Sequence, residues 1–223
     1  MYMQARSFEP CATSESIAIL AAAEGTSAHG YCRDARRTDG FVRNAADFAD
    51  AVHHLSFLHG QVSGLIDQAA ARIVDNEARS WLVAAVDGFA RERAYLSAVV
   101  VAAGPMPSTP GQAQVTTIVA QQCRALLMLA RSDRHGCALG AAAALVLDWA
   151  AIRRILDGGA ARLSVDMREC RLPTQDETLA MLDAVEAESP SARAIQFGAS
   201  QLFGQHRGLW DLLQSRGRLR RDL

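Results

Sequence analysis

Residues 44–74 read NAADFADAVHHLSFLHGQVSGLIDQAAARIV, and this stretch decides the fold class. Phe48, Val52, Leu55, His59, Val62, Ile66, Ala69 and Ile73 recur at alternating steps of four and three, the period of a helix with one face in a core. Asn44 is a good N-cap and Asp47 suits the positive end of the first turn. The spacing predicts one uninterrupted core-facing helix over 44–74.

Toward the C-terminus, Asn76 opens a second helix with the seam Leu82, Ala85, Phe89, Glu92, Leu96 and Val99, ending before GPMP. So short a connection implies an antiparallel hairpin. Thr109, Pro110 and Gln112 supply a cap, a first-turn proline and a capping-box partner for a helix to about 131, with the seam Val115, Val119, Gln122, Leu126 and Leu129. The polar SDRHG breaks the chain, since a helix continuing through it to Gly158-Gly159 would be roughly 70 Å long. A separate helix is therefore expected over 133–157.

Thr174 and Glu177 form a second capping box for a short acidic helix. Ser189-Pro190 then starts a last long helix to about 215, with the seam Ile195, Ala199, Leu202, His206, Leu209 and Leu213. On the N-terminal side, a short helix over about 14–24 ends at Gly25 and is followed by a polar, arginine-bearing loop. The predicted fold class is all-α, an antiparallel bundle of about five long helices with short additional ones. Its parts are residues 1–43 (short helix and loop), 44–216 (bundle) and 217–223 (basic tail).

Half of the 223 residues are apolar and the net charge is −1, which fits a globular chain and gives no general attraction to nucleic acid. All 23 basic residues are arginines, so Schiff-base chemistry, pyridoxal-phosphate attachment and the phosphate-loop lysine are excluded. Five scattered cysteines without a CxxC pair suit a reducing cytosol. The run IAILAAA follows Glu9 and Glu15 rather than a cationic start, and CALGAAAALVL stops at Asp148, too short to span a bilayer. The expectation is a cytoplasmic protein without a membrane partner.

Four seam positions are polar: His59, Glu92, Gln122 and His206. Counting from the turns at 1.5 Å per residue puts His59 and Glu92 at one height, with Gln122 near it and His206 a possible fourth member. As a functional site, His59, Glu92 and His206 would hold a single metal ion with two imidazoles and a carboxylate, as bundle cores of ferritin-like architecture do. The Glu-x-x-His pairs of a dinuclear centre are absent. As a structural feature, the same residues would hydrogen-bond one another and fix register, or His59 or His206 would reach solvent near a helix edge. His53 and His54 lie off the seam, on the surface or its boundary.

HGQVSG (59–64) and HGCALG (135–140) both place glycines one turn apart, which implies close approach of a neighbouring helix at Gly60, Gly64, Gly136 and Gly140. Asp148, alone in an apolar helix, is expected to pair with an arginine such as Arg93. The basic RGRLRRDL (216–223) could touch nucleic acid or an acidic partner, but as a short tail without interleaved aromatics it reads as a solvated end.

LHGQVSGLIDQAA, GPMPSTPGQ and HRGLWDLL together resemble a family of uncharacterised all-helical proteins of alphaproteobacteria, over about residues 45–216. The resemblance implies a helical fold and no activity, cofactor or catalytic residue. The leading expectation is a non-enzymatic bundle acting through a protein partner or as a homo-oligomer. The alternative is a bundle binding a mononuclear metal or a small ligand.

Overall fold

Residues 137–146, CALGAAAALV, are all buried, because the helix that carries them has neighbours on every side. In the computed structural model, which describes residues 12–35, 37, 40–73, 76–188 and 191–222, the elements are α1 (Thr13–Glu24), α2 (Gly30–Arg33), α3 (Ala45–His59), α4 (Leu65–Arg72), α5 (Asn76–Ala103), α6 (Gln112–Ala130), α7 (Cys137–Arg162), α8 (Gln175–Glu188) and α9 (Ala192–Arg221). Two 3-10 turns, Thr26–Ala28 and Phe41–Arg43, punctuate the N-terminal segment. The described residues contain no strand, so the fold is all-α.

The side-chain pairings give the helix directions. His59 packs on Phe89 while His53 bonds the Gly104 carbonyl, so α3 and α5 are antiparallel, as the hairpin requires. Gly140 meets Ile195 and Asp148 meets His206, so α7 and α9 run the same way. The chain thus alternates through α3, α5, α6 and α7. It then crosses over through α8, and α9 lies parallel to α7.

The contact between α7 and α9 is close because both carry glycine there. A Cβ at Gly140 would stand 2.0 Å from the Ile195 carbonyl oxygen, and one at Gly198 would stand 2.0 Å from that of Cys137. Backbone against backbone leaves no space for a methyl group. The close approach expected of the second glycine pair therefore exists at Gly140.

The first pair does something else, and the single helix expected over 44–74 is two. α3 ends at His59 with Gly60 as its C-cap, Ser63 adopts a left-handed φ of 66°, and α4 begins at Leu65. Two glycines weaken a helix by about 1 kcal/mol each relative to alanine. Asp67 supplies an alternative, accepting the Gly64 N–H at 2.9 Å and pairing with Arg93. Val62, expected on the seam, is exposed, and the nearest atoms to a Cβ at Gly60 belong to Ser56 of its own helix.

Other boundaries shift for similar local reasons. Thr109 and Gln112 do not cap α6: Gly111, at φ 77°, precedes it, and the two side chains accept hydrogen bonds from Arg220 and Arg216 instead. α7 runs through Gly158-Gly159 to Arg162, because a side chain at Gly159 would occupy the Phe48 ring. The capping box of Thr174 and Glu177 is present. Ser189 and Pro190 lie outside the described residues. The basic segment from residue 217 is helical to Arg221, and Arg220 and Arg221 pair with Asp47. Among the described residues no helix is long and apolar enough to cross a membrane.

Candidate functional site

A chain of buried hydrogen bonds crosses the middle of the bundle. His59, the last residue of α3, lies with its Nε2 2.9 Å from Nε2 of His206 on α9. His206 Nδ1 is 2.5 Å from Asp148 Oδ2 on α7. Asp148 also accepts the Thr26 N–H at 2.7 Å and the Thr26 hydroxyl at 2.6 Å, and that hydroxyl accepts Trp210 Nε1–H at 2.9 Å. The turn docks closely because residue 25 is glycine, where a Cβ would lie 2.8 Å from Asp148 Oδ1.

The pairings assign the protons. An ionised Asp148 only accepts, so Nδ1 of His206 carries hydrogen. Between the two Nε2 atoms one donates and the other accepts, as the tautomers of the two rings dictate. Burial holds the His59 imidazole well below its ordinary pKa, and His206 acts in the same direction, so His59 is neutral.

Glu92 lies on the far side of Trp149. The indole stands edge-on to His59 at 5.6 Å between centroids and donates Nε1–H to Glu92 Oε2 at 2.8 Å. Arg153 Nη1 reaches the other carboxylate oxygen at 2.6 Å, and its Nε bonds Asp157 at 2.8 Å. Arg153 also donates to the Arg168 carbonyl, which holds the segment after α7 over this pair. Gly88 makes room for that segment, since a Cβ there would stand 2.6 Å from the Arg171 carbonyl oxygen.

The structure therefore brings His59 and His206 into direct contact and seats Glu92 in the same layer with both of its oxygens engaged elsewhere. Among the described residues no three His, Cys, Asp or Glu side chains are grouped to hold a metal ion. Gln122 bonds the Gln205 carbonyl and takes no part in the chain. Two expectations are corrected. Asp148 pairs with His206 and Thr26 rather than Arg93, which is committed to Asp67, and His54 is buried against Asp50 rather than at the surface.

The partners of Asp148, Thr26 among them, were hidden from the sequence. An acid in an apolar helix signals a buried partner but does not identify it, and nothing local marks Thr26.

Above Asp148 the surface opens. A cleft of about 270 Å³ between α1, α7 and the start of α8 is lined by residues including Ala18, Ala22, Ser27, Asp148, Arg154 and Gln175. An adjacent hollow of about 250 Å³ is lined by Thr26, Ser27, Cys32, Arg33, Ala151 and Arg154 among others. Ser27, Ala151 and Arg154 border both.

A second polar cluster lies at the other end of α9. Asp50, fully buried, receives Arg216 Nε at 2.7 Å and Nη2 at 2.9 Å, with Arg220 Nη1 at 2.7 Å. Burial alone would raise its pKa, but the bonds from His54, Arg216 and Arg220 outweigh this and hold it well below the carboxylate range.

The fold and the site together define an all-α bundle protein with a buried histidine–aspartate chain at its centre. The chain belongs to the family described as Family of unknown function (DUF6975), which matches residues 21–221 and so takes in Thr26, His59, Glu92, Asp148 and His206. Neither a curated protein nor a solved structure matches it.

Proposed function

We propose that the protein is a non-enzymatic, small-ligand-binding helical bundle of the bacterial cytoplasm. The observation that carries this reading is the cleft between α1, α7 and α8, whose floor is Asp148. His59 and His206 are 3% and 1% exposed, so no substrate atom reaches either imidazole in this conformation. They serve as fixed donors and acceptors behind the cleft wall. Through Asp148 and Thr26 they set where the first turn after α1 sits, and that turn supplies Ser27 to both hollows.

A metal at His59, Glu92 and His206 would require the Glu92 carboxylate to leave both Arg153 and the Trp149 indole. The cleft needs no such rearrangement.

Ligand-observed NMR with a library of neutral and charged fragments tests the reading. Ala22 is exposed on the cleft wall, so Ala22→Trp fills the space without disturbing the core. Fragments that bind the native protein and are lost from Ala22→Trp support a cleft ligand. If no fragment binds, or all bind both proteins equally, the reading is wrong.

A further inference from the structure

We infer that the ligand is a small oxyanion, a carboxylate or a phosphate, anchored by Arg154 with Arg33 as its second contact; this rests on the cleft being a ligand site.

Most arginines that face this core are committed. Arg93 pairs with Asp67, Arg153 with Glu92 and Asp157, Arg216 with Asp50, and Arg220 with Asp47 and Asp50. Arg154 differs. It sits one residue after Arg153 on α7, borders both hollows, and among the described residues has no hydrogen bond or ion pair. Arg33, on α2 in the second hollow, has none either. Two arginines thus line one hollow, and Ser27 lines both.

Among the described residues lining the two hollows, the only carboxylate is Asp148. It does not compete for Arg154, because its oxygens already accept the Thr26 N–H, the Thr26 hydroxyl and His206 Nδ1–H. Two arginines against one carboxylate leave the net charge of the lining positive. A guanidinium fork matches a carboxylate or phosphate edge with two parallel hydrogen bonds, which suits these anions better than a spherical ion. Each hollow is smaller than the roughly 300–1,000 Å³ of a drug-sized pocket, so the ligand is metabolite-sized.

The test is a titration of ¹⁵N-labelled protein with succinate, glycerol 3-phosphate and inorganic phosphate at constant ionic strength, following the Ser27 amide and the Arg154 Nε–H signal. Saturable shifts of both signals are expected for at least one probe. In Arg154→Gln the affinity should fall about tenfold or more, and Arg154→Lys should recover part of it, because a charge without the fork restores one contact rather than two. Arg154 is exposed and unpaired, so its variants should melt with the native protein.

Tighter binding of the phosphate probes assigns a phosphate ligand, and tighter binding of succinate a carboxylate. Saturable binding that Arg154→Gln leaves unchanged overturns the inference, as does the absence of saturable shifts with all three probes. If neutral fragments still bind the cleft while these anions do not, only the anion assignment fails. If nothing binds, the cleft reading fails with it.

Discussion

Asp148 Oδ2 lies 2.5 Å from His206 Nδ1, and this contact ties α7 to α9 eight residues beyond the point where Gly140 meets Ile195. Two parallel helices are thereby fixed in register at two heights, once by backbone contact and once by a charge-assisted hydrogen bond. The same carboxylate holds the turn that follows α1.

Asp148→Leu removes the acceptor for three buried donors at once. It should destabilise by about 3–5 kcal/mol, because each orphaned group bears its desolvation cost. Asp148→Asn keeps an acceptor for the Thr26 amide but presents an NH₂ to the remaining donors, and should cost about 1–3 kcal/mol. Urea unfolding of the two variants checks the order; an Asn variant less stable than the Leu variant would contradict the proton assignment.

The pH dependence follows from His59. Its folded pKa is depressed below the ordinary value of 6.5, so the unfolded chain binds more protons in acid. Stability is full above the ordinary value and is lost as the pH falls below it, toward the folded value. The slope should approach about 1.4 kcal/mol per pH unit for one proton. Two protonated histidines would also set Nε2–H against Nε2–H. Melting measured from pH 7.5 downward should show this loss, and His59→Gln should flatten it.

Helix periodicity made the fold class legible, because Phe48 to Leu55 and Leu82 to Val99 record which face is buried. It could not reveal the break at Gly60–Gly64, since Ile66 and Ala69 remain buried and in phase beyond it while only Val62 leaves the core. The height count placed His59 and Glu92 in one layer correctly, with the Trp149 indole lying between them. Which polar groups pair is a different matter. Rotation about the helix axis and the crossover through α8 decide whether Asp148 meets His206 or Arg93, and neither is written in local spacing.

The two glycine pairs should respond unequally. Gly140→Ala drives a methyl group into the Ile195 backbone and should cost about 3 kcal/mol or more, well beyond any gain in helix propensity. At Gly64 the nearest atom to a Cβ is the Gln61 carbonyl oxygen at 3.3 Å, and φ is −70°, so Gly64→Ala needs only a small adjustment and should stay within about 0.5 kcal/mol of native. Chemical denaturation of both variants distinguishes a helix contact from a helix cap. Equal losses would mean that α9 does not press on Gly140.

The C-terminal turns of α9 are a fastening rather than a loose tail. Arg216 is 1% exposed and grips the fully buried Asp50 with two nitrogens. Arg216→Ala leaves that carboxylate with His54 and Arg220 alone, and breaking a buried pair from one side costs about 3–5 kcal/mol. Arg218, two residues on, is exposed, and Arg218→Ala should change stability by less than about 0.5 kcal/mol. The double variant Asp50→Leu/Arg216→Leu removes both charges and should recover part of the loss, although Arg220 then keeps only Asp47 and Thr109. Thermal melts of the single and double variants give the coupling directly, and additive losses would show that the pair contributes nothing beyond its separate contacts.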